Sequence, residues 1–490
     1  MKIFSEPVQT LLQPITIERL VSVEKGYKGT VGVVPSKRQI EWQKTEFYGL
    51  ISYGMPVFTG KQYGDGFTPP SVFWPEEMNT DVWCSVAKSA GMKGLVLTCK
   101  HYDGFCLWPT AHTDYSVKSS NWLDGEGDLV KMLSDSCRKH GLKFGIYLAP
   151  WDRHEKTYGE GKAYDDFFCG LLSELLTNYG DIFCVWLDGV CGENEKRTQK
   201  HDWGRYYSLI RKLQPDAVIS FRGPDVRWCG NERGVTRNEE WSVVPSHLGV
   251  NEDGSDTVSA NKKHSNMFDL DLGSRKAVKK ETDFIWYPCE VSVPMRPHWF
   301  FEEDDKYSIK TKDKLIKLYY NTVGNNSCLM LGLAPNKRGE FDDTDVQILN
   351  ALGCELNLFF GYNLLKDSGA VSASSVYNND TKPENVLSDD MDTYWRPASD
   401  DKHPEIEVII PEKEYFDKIV VRENIAHGQH IEEFDILGFD IKKNKWKKLA
   451  ESTTVGYKRI LSIKPGEYSK LKFRFREYRE FFEISGISVN

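Results

Sequence analysis

Short apolar runs and longer amphipathic stretches alternate along the first two thirds of the chain. The runs are Tyr48–Tyr53, Gly94–Thr98, Phe144–Leu148, Ile182–Leu187, Ala217–Phe221 and Cys328–Leu333. Each is too short for a helix and rich in Val, Ile, Leu or aromatic side chains, the signature of strands buried on both faces of a parallel sheet. Between them, Thr80–Ala90 opens on a Thr that is a candidate N-cap and stops at Gly91. Asp128–His140 stops at Gly141, Asp166–Tyr179 stops at Gly180, and Trp203–Leu213 runs into Pro215. A polar cap in front and Gly or Pro behind punctuate helices. Strands starting at 94, 144, 182 and 217 are spaced by 50, 38 and 35 residues. Repeated β-α units at such intervals predict an α/β fold, either a doubly wound sheet or a (β/α)8-like TIM barrel. No GxGxxG follows the first strand and no P-loop is present, which favours the barrel. Its sixth and seventh strands are expected between residues 240 and 320, where the polar loop 249–263 interrupts the pattern.

The pattern changes near residue 365. After the Ser/Ala/Gly-rich stretch 368–375 come alternating runs at Ile406–Ile410, Lys418–Val421, Phe434–Phe439, Leu471–Phe475 and Ile484–Val489. Short alternating strands separated by turn residues predict an antiparallel β-sandwich. The expected organisation is a barrel with an N-terminal extension over 1–360 and a sandwich, of galactose-binding-like type, over 366–490.

Composition narrows the function. The 490 residues are 40% hydrophobic and 28% charged, as in ordinary globular proteins. A net charge of −9 argues against a nucleic-acid or anionic-membrane binder, which needs a basic footprint. No apolar run approaches the ~20 residues that cross a bilayer. The first twenty residues show no apolar signal core. Eleven scattered cysteines without a CxxC are expected to be free, buried thiols, and no HExxH occurs, so no metal and no cofactor is expected. The oligomeric state leaves no trace in the sequence.

Barrel enzymes carry their reactive groups where strands end. The fourth run ends in Asp188-Gly189, the second in Lys100-His101-Tyr102-Asp103, the third in Trp151-Asp152-Arg153, and the fifth leads to Asp225, Trp228 and Glu232. Asp before Gly is also an ordinary turn former. Four carboxylate-bearing strand ends nevertheless point to acid–base chemistry in one bowl. Two carboxylates in unlike surroundings suit glycoside hydrolysis, one ionised and one holding a proton. Asp188 is the candidate for the first, steadied by His101 and an arginine among Arg222, Arg227 and Arg296. Glu232, shielded by Trp228, is the candidate for the second. Trp108, Trp151, Trp186, Trp228 and Trp241 lie near strand ends, where indole faces could pack on a sugar.

At these residues the chain resembles the α-L-fucosidases of glycoside hydrolase family 29, particularly the branch acting on α-1,3/1,4-linked fucosides. The motifs are GDGF at 64–67, LTCKHYDGFCLWPTAHTDYSVKSS at 97–120, YLAPWDRHEKTYG at 147–159, VWLDGVCGE at 185–193, GPDVRWCGNERG at 223–234, EWSVVP at 240–245 and RPHWFF at 296–301. The resemblance implies a barrel plus sandwich, a retaining exo-acting mechanism without metal, Asp188 as nucleophile and Glu232 as general acid/base. It also implies a glycoside substrate and export to a periplasm or the extracellular space. Three motifs depart from the family pattern. Ser52-Tyr53-Gly54 stands for His-Phe-Gly, Gln62-Tyr63 for Glu-Trp, and His101-Tyr102 for His-His. In the family these residues hold sugar hydroxyls. Ser52, Gln62, Tyr63, His101, Tyr102, Asp103, Trp151, Trp186 and Arg227 are therefore the candidate substrate-binding residues. The altered set raises the alternative of a terminal α-L-glucoside, α-L-galactoside or D-arabinoside. A sandwich aromatic such as Trp395 raises another, a carbohydrate-binding protein without catalysis.

Overall fold

The computed structural model describes residues 26–188, 197–251, 267–366, 370–388, 390–410 and 415–490. Residues 1–25, Gly189 and most of the loop 249–263 lie outside the described residues. Eight parallel strands form one sheet: β1 (Phe47–Ile51), β2 (Gly94–Lys100), β3 (Lys143–Leu148), β4 (Cys184–Leu187), β5 (Val218–Phe221), β6 (Arg227–Trp228), β7 (Cys289–Pro294) and β8 (Ser327–Leu333). Their order is β5-β4-β3-β2-β1-β8-β7-β6, and a parallel bridge between Ser220 and Val226 brings the two ends together. The sheet is a nearly closed barrel. Only one of the two unplaced strands, β7, lies between 240 and 320. β6 is a two-residue strand inside the stretch read as a loop after β5; it pairs Arg227 with Cys289. Two residues are too few for any apolar periodicity to show.

Helices cover the outside of the barrel. Asp128 caps Leu129–His140 by accepting from Lys131 N, and Gly141 ends that helix at φ +67. Helix Thr80–Ser89 is capped by Asn79 rather than Thr80, whose hydroxyl is turned inward on Ser136 at 2.8 Å. The next helix spans Lys162–Asn178 and starts earlier than its sequence pattern.

Beyond the last barrel helix, Asp343–Gly361, come β9 (Val371–Ala373), β10 (Glu405–Ile409), β11 (Lys418–Glu423), β12 (Ile431–Asp440), β13 (Lys445–Ser452), β14 (Arg459–Ser462), β15 (Tyr468–Tyr478) and β16 (Ile484–Val489). Two antiparallel sheets, β9-β10-β15-β12-β13 and β14-β11-β16, enclose a core of their own around Trp395, Phe434, Phe473 and Phe475. Trp395 is 0% exposed, its indole N–H bonded to Ser375 O at 2.9 Å. It belongs to that core, which speaks against the alternative in which it meets a glycan. The sandwich grips the barrel through buried polar contacts. Lys458 pairs with Glu46 at 2.6 Å beside β1, and Arg479 donates to Thr30 and lies 4.0 Å over Trp241.

Candidate active site

The carboxyl ends of the strands open into a cavity of about 460 Å3. Leu50, Thr98, Met330 and Ser292, from β1, β2, β8 and β7, line it towards the barrel interior. Because that interior is packed side chain, the cavity ends blind. Ser52, Gln62, Tyr63, His101, Tyr102, Trp186, Asp188 and Glu232 all line it. Sequence separations of up to 180 residues are thus closed by barrel curvature alone.

Asp188 follows β4 and is only 8% exposed. Its Oδ2 accepts from two phenols, Tyr102 at the end of β2 and Tyr147 on β3, the second at 2.8 Å. Burial, reinforced by the Asp188 charge, pushes both phenols well above their usual value, so each stays a donor. A carboxylate faced by two O–H groups is presented as an acceptor, the form a nucleophile needs. Arg227 is 1% exposed and bonds Glu240, Tyr287 O and Trp241 O; Arg296 bonds Asp342 and Asp345. Arg222 lies over Trp203, 5.3 Å from its ring. Arg227 is therefore a structural cation rather than a cavity residue.

His101 packs against Tyr102, Tyr147 and Phe300, and burial lowers its pKa to about 3, so the imidazole is neutral at working pH. Asp103 lies behind the cavity wall. Its Oδ1 accepts from Phe105 N, and it fills the space beside Gly64, where a Cβ would sit 2.4 Å from the Asp103 Cβ. Gly64 adopts φ +62, which glycine alone takes without strain. Trp151 is also behind the wall, its ring 4.5 Å from Tyr102. Asp152 pairs with buried Lys100 at 2.9 Å, and Asp225 pairs with Arg38 and Arg211. Of the four acidic strand ends, only those carrying Asp188 and Glu232 reach the cavity.

Glu232 is exposed at the mouth, and the indole that contacts it is Trp299 rather than Trp228, with Nε1 donating to Oε1 at 3.1 Å. Trp228 instead donates to Ser292 Oγ at 2.9 Å. Trp228 and Trp186 flank Phe221, whose backbone sits at φ +64, a conformation costly for a bulky residue. Of the five candidate tryptophans only Trp186 and Trp228 line the cavity. Tyr147, Phe221, His298, Trp299 and Phe300 line it and were not singled out from the sequence. The motifs YLAPW and RPHWFF carried four of them, and Phe221 closes the apolar run Ala217–Phe221. At the rim His298, Glu302 and Asp305 group within 4.8 Å, with His298 Nδ1 already 2.8 Å from Asp305 Oδ1.

The model of the family described as alpha-L-fucosidase matches residues 29–358. The chain belongs to the alpha-L-fucosidase family. Alpha-L-fucosidase 1 of Arabidopsis thaliana is 35% identical over 432 residues, 87% of this chain and 81% of the relative. A glycoside hydrolase 29 family member from an unknown rumen bacterium superposes with TM-score 0.75 at 31% identity, covering 94% of this chain and 77% of the other. A Ruminococcus gnavus GH29 fucosidase in complex with fucose superposes with TM-score 0.83 at 27% identity, covering 95% and 96%. This alpha-L-fucosidase family member thus shares both the barrel and the sandwich with its relatives.

Proposed function

We propose that the chain hydrolyses terminal α-L-fucosides with retention of configuration, in the manner of the α-1,3/1,4 branch of its family. The observation that carries this is that Asp188 and Glu232, one buried and held by two phenols, the other at the mouth, border one blind cavity. A blind cavity admits a chain end, which suits exo action. Asp188 attacks the anomeric carbon as Glu232 gives its proton to the departing glycosidic oxygen. Water then displaces the ester, losing its proton to Glu232, and Asp188 is regenerated. His101, neutral and lining the cavity, is suited to a substrate hydroxyl contact, with Ser52, Tyr63 and Tyr102 beside it. The sandwich buttresses the barrel, a role supported by its inward tryptophan and its buried ties to residues 30–46.

A second reading, a terminal L-sugar other than fucose, is favoured by Gln62. Both of its amide ends are taken up by Phe300 and Glu302, so it offers the sugar little. Nitrophenyl α-L-fucoside, α-L-galactoside, α-L-glucoside and β-D-arabinoside separate the two. Fast release from the fucoside alone, with a retained anomer by NMR, supports fucosidase action; preference for another sugar supports the second reading. α-1,3-, α-1,4- and α-1,2-linked fucosyl disaccharides test the linkage.

A further inference from the structure

Glu232 stands on an exposed loop, yet its surroundings are built. Asn231 pins the loop backbone, its Oδ1 accepting from Arg233 N and Val235 N at 3.1 Å and its Nδ2 donating to Val235 O at 2.8 Å. The Glu232 carboxylate takes the indole N–H of Trp299, 67 residues away. Trp299 is itself seated. Its ring lies on Gly332 of β8, where any Cβ would meet the indole at 2.7 Å. The adjoining backbone is clamped by Gln62, another residue lining the cavity. The Gln62 amide donates to Phe300 O at 3.1 Å and to Glu302 Oε1 at 2.7 Å, while its oxygen accepts from Phe300 N at 3.1 Å. An amide is the group that fits here. A carboxylate at 62 would lose both donors and face Glu302 with like charge.

We propose that Trp299 is the positioning residue for Glu232 and that Gln62 is the clamp holding Trp299 in place, so that the two aim the general acid at the glycosidic oxygen. The inference rests on Glu232 being that acid. Proton donation matters in proportion to how poor the leaving group is. A misaimed acid therefore slows departure of a sugar alkoxide far more than departure of an acidic phenol, whereas a general loosening of the site slows both alike.

The test compares kcat/KM on a chloronitrophenyl α-L-fucoside and on a fucosyl disaccharide for Trp299→Phe, Gln62→Leu and Glu232→Ala. Trp299→Phe removes the N–H donor and keeps a smaller aromatic ring at a position where the indole Cζ3 and Cε3 face Gly332. Each of the first two variants is expected to lose at least ten times more on the disaccharide than on the aryl fucoside, with kcat carrying the loss. Glu232→Ala is expected to show the same bias more strongly, and azide should restore its turnover of the aryl fucoside. If Glu232→Ala is selective and the other two lose equally on both substrates, the positioning inference is overturned and the assignment of Glu232 stands. If Glu232→Ala itself shows no bias and no azide rescue, the assignment of the acid falls, and the inference with it.

Discussion

The phenol of Tyr102 donates its hydrogen bond to Asp188 Oδ2, across 86 residues of sequence. A hydrogen bond to a charged acceptor is worth about 1.5–3 kcal/mol. Tyr102→Phe should therefore lower kcat by about 10–100-fold, at roughly tenfold per 1.4 kcal/mol. KM should change little, because the bond serves the nucleophile. Steady-state kinetics on an aryl glycoside measures this; a rise in KM with intact kcat would make Tyr102 a substrate contact instead.

Asp188→Asn separates hydrolysis from mere sugar binding. Removing the nucleophile should cut turnover by about 10³-fold or more, while calorimetric binding of the monosaccharide persists. Unchanged slow turnover in both proteins would favour a binding protein.

Burial raises Asp103 to about 7, helped by the charges of Asp152 and Asp65 and opposed by Phe105 N–H and Lys100. In the unfolded chain an Asp titrates near 3.9 (about). The folded protein thus keeps a proton that the unfolded chain releases. This contribution to stability is complete below about pH 4 and is lost as pH rises through about 7. Asp103→Asn should flatten the fall in denaturant midpoint across that window. An unchanged pH slope would show that Asp103 does not titrate there.

Arg227 and Glu240 form a buried pair, 1% and 0% exposed. Removing one partner leaves a buried charge, at a cost of about 3–5 kcal/mol, whereas replacing both with apolar residues costs far less. Arg227→Met should unfold at markedly lower denaturant, and Arg227→Met with Glu240→Leu should recover only part of the loss, because Arg237, 3.5 Å from Glu240, then loses its carboxylate partner. A role in sugar binding would instead leave stability intact and raise KM.

Trp395→Ala should destabilise the sandwich by about 3–5 kcal/mol, as large core truncations do. It should leave the affinity of the folded protein for glycans unchanged. Loss of glycan binding without loss of stability would return Trp395 to a surface role.

The ends of β2 and β4 were legible because an apolar run followed by Asp or His marks where a barrel strand meets solvent. Asp188 was legible for the same reason, whereas Glu232, eleven residues beyond the end of β5, was marked by the GPDVRWCGNERG motif. β6 was not, since its two residues pair with β7 some 60 positions later and show no period of their own. Arg227 looked like a site residue because it lies five positions before Glu232. On so short a strand its side chain turns instead towards Glu240, behind the wall.

Local pattern thus determined the alternating elements, the barrel-then-sandwich order and the acidic strand ends, because burial period, caps and strand ends are properties of neighbouring residues. Tertiary structure decided which aromatics face the sugar, which phenols hold Asp188, and that Trp299 rather than Trp228 meets Glu232. Those choices depend on strand register and barrel closure, which bring side chains together across 40 to 240 positions of chain, distances over which the sequence carries no periodic signal.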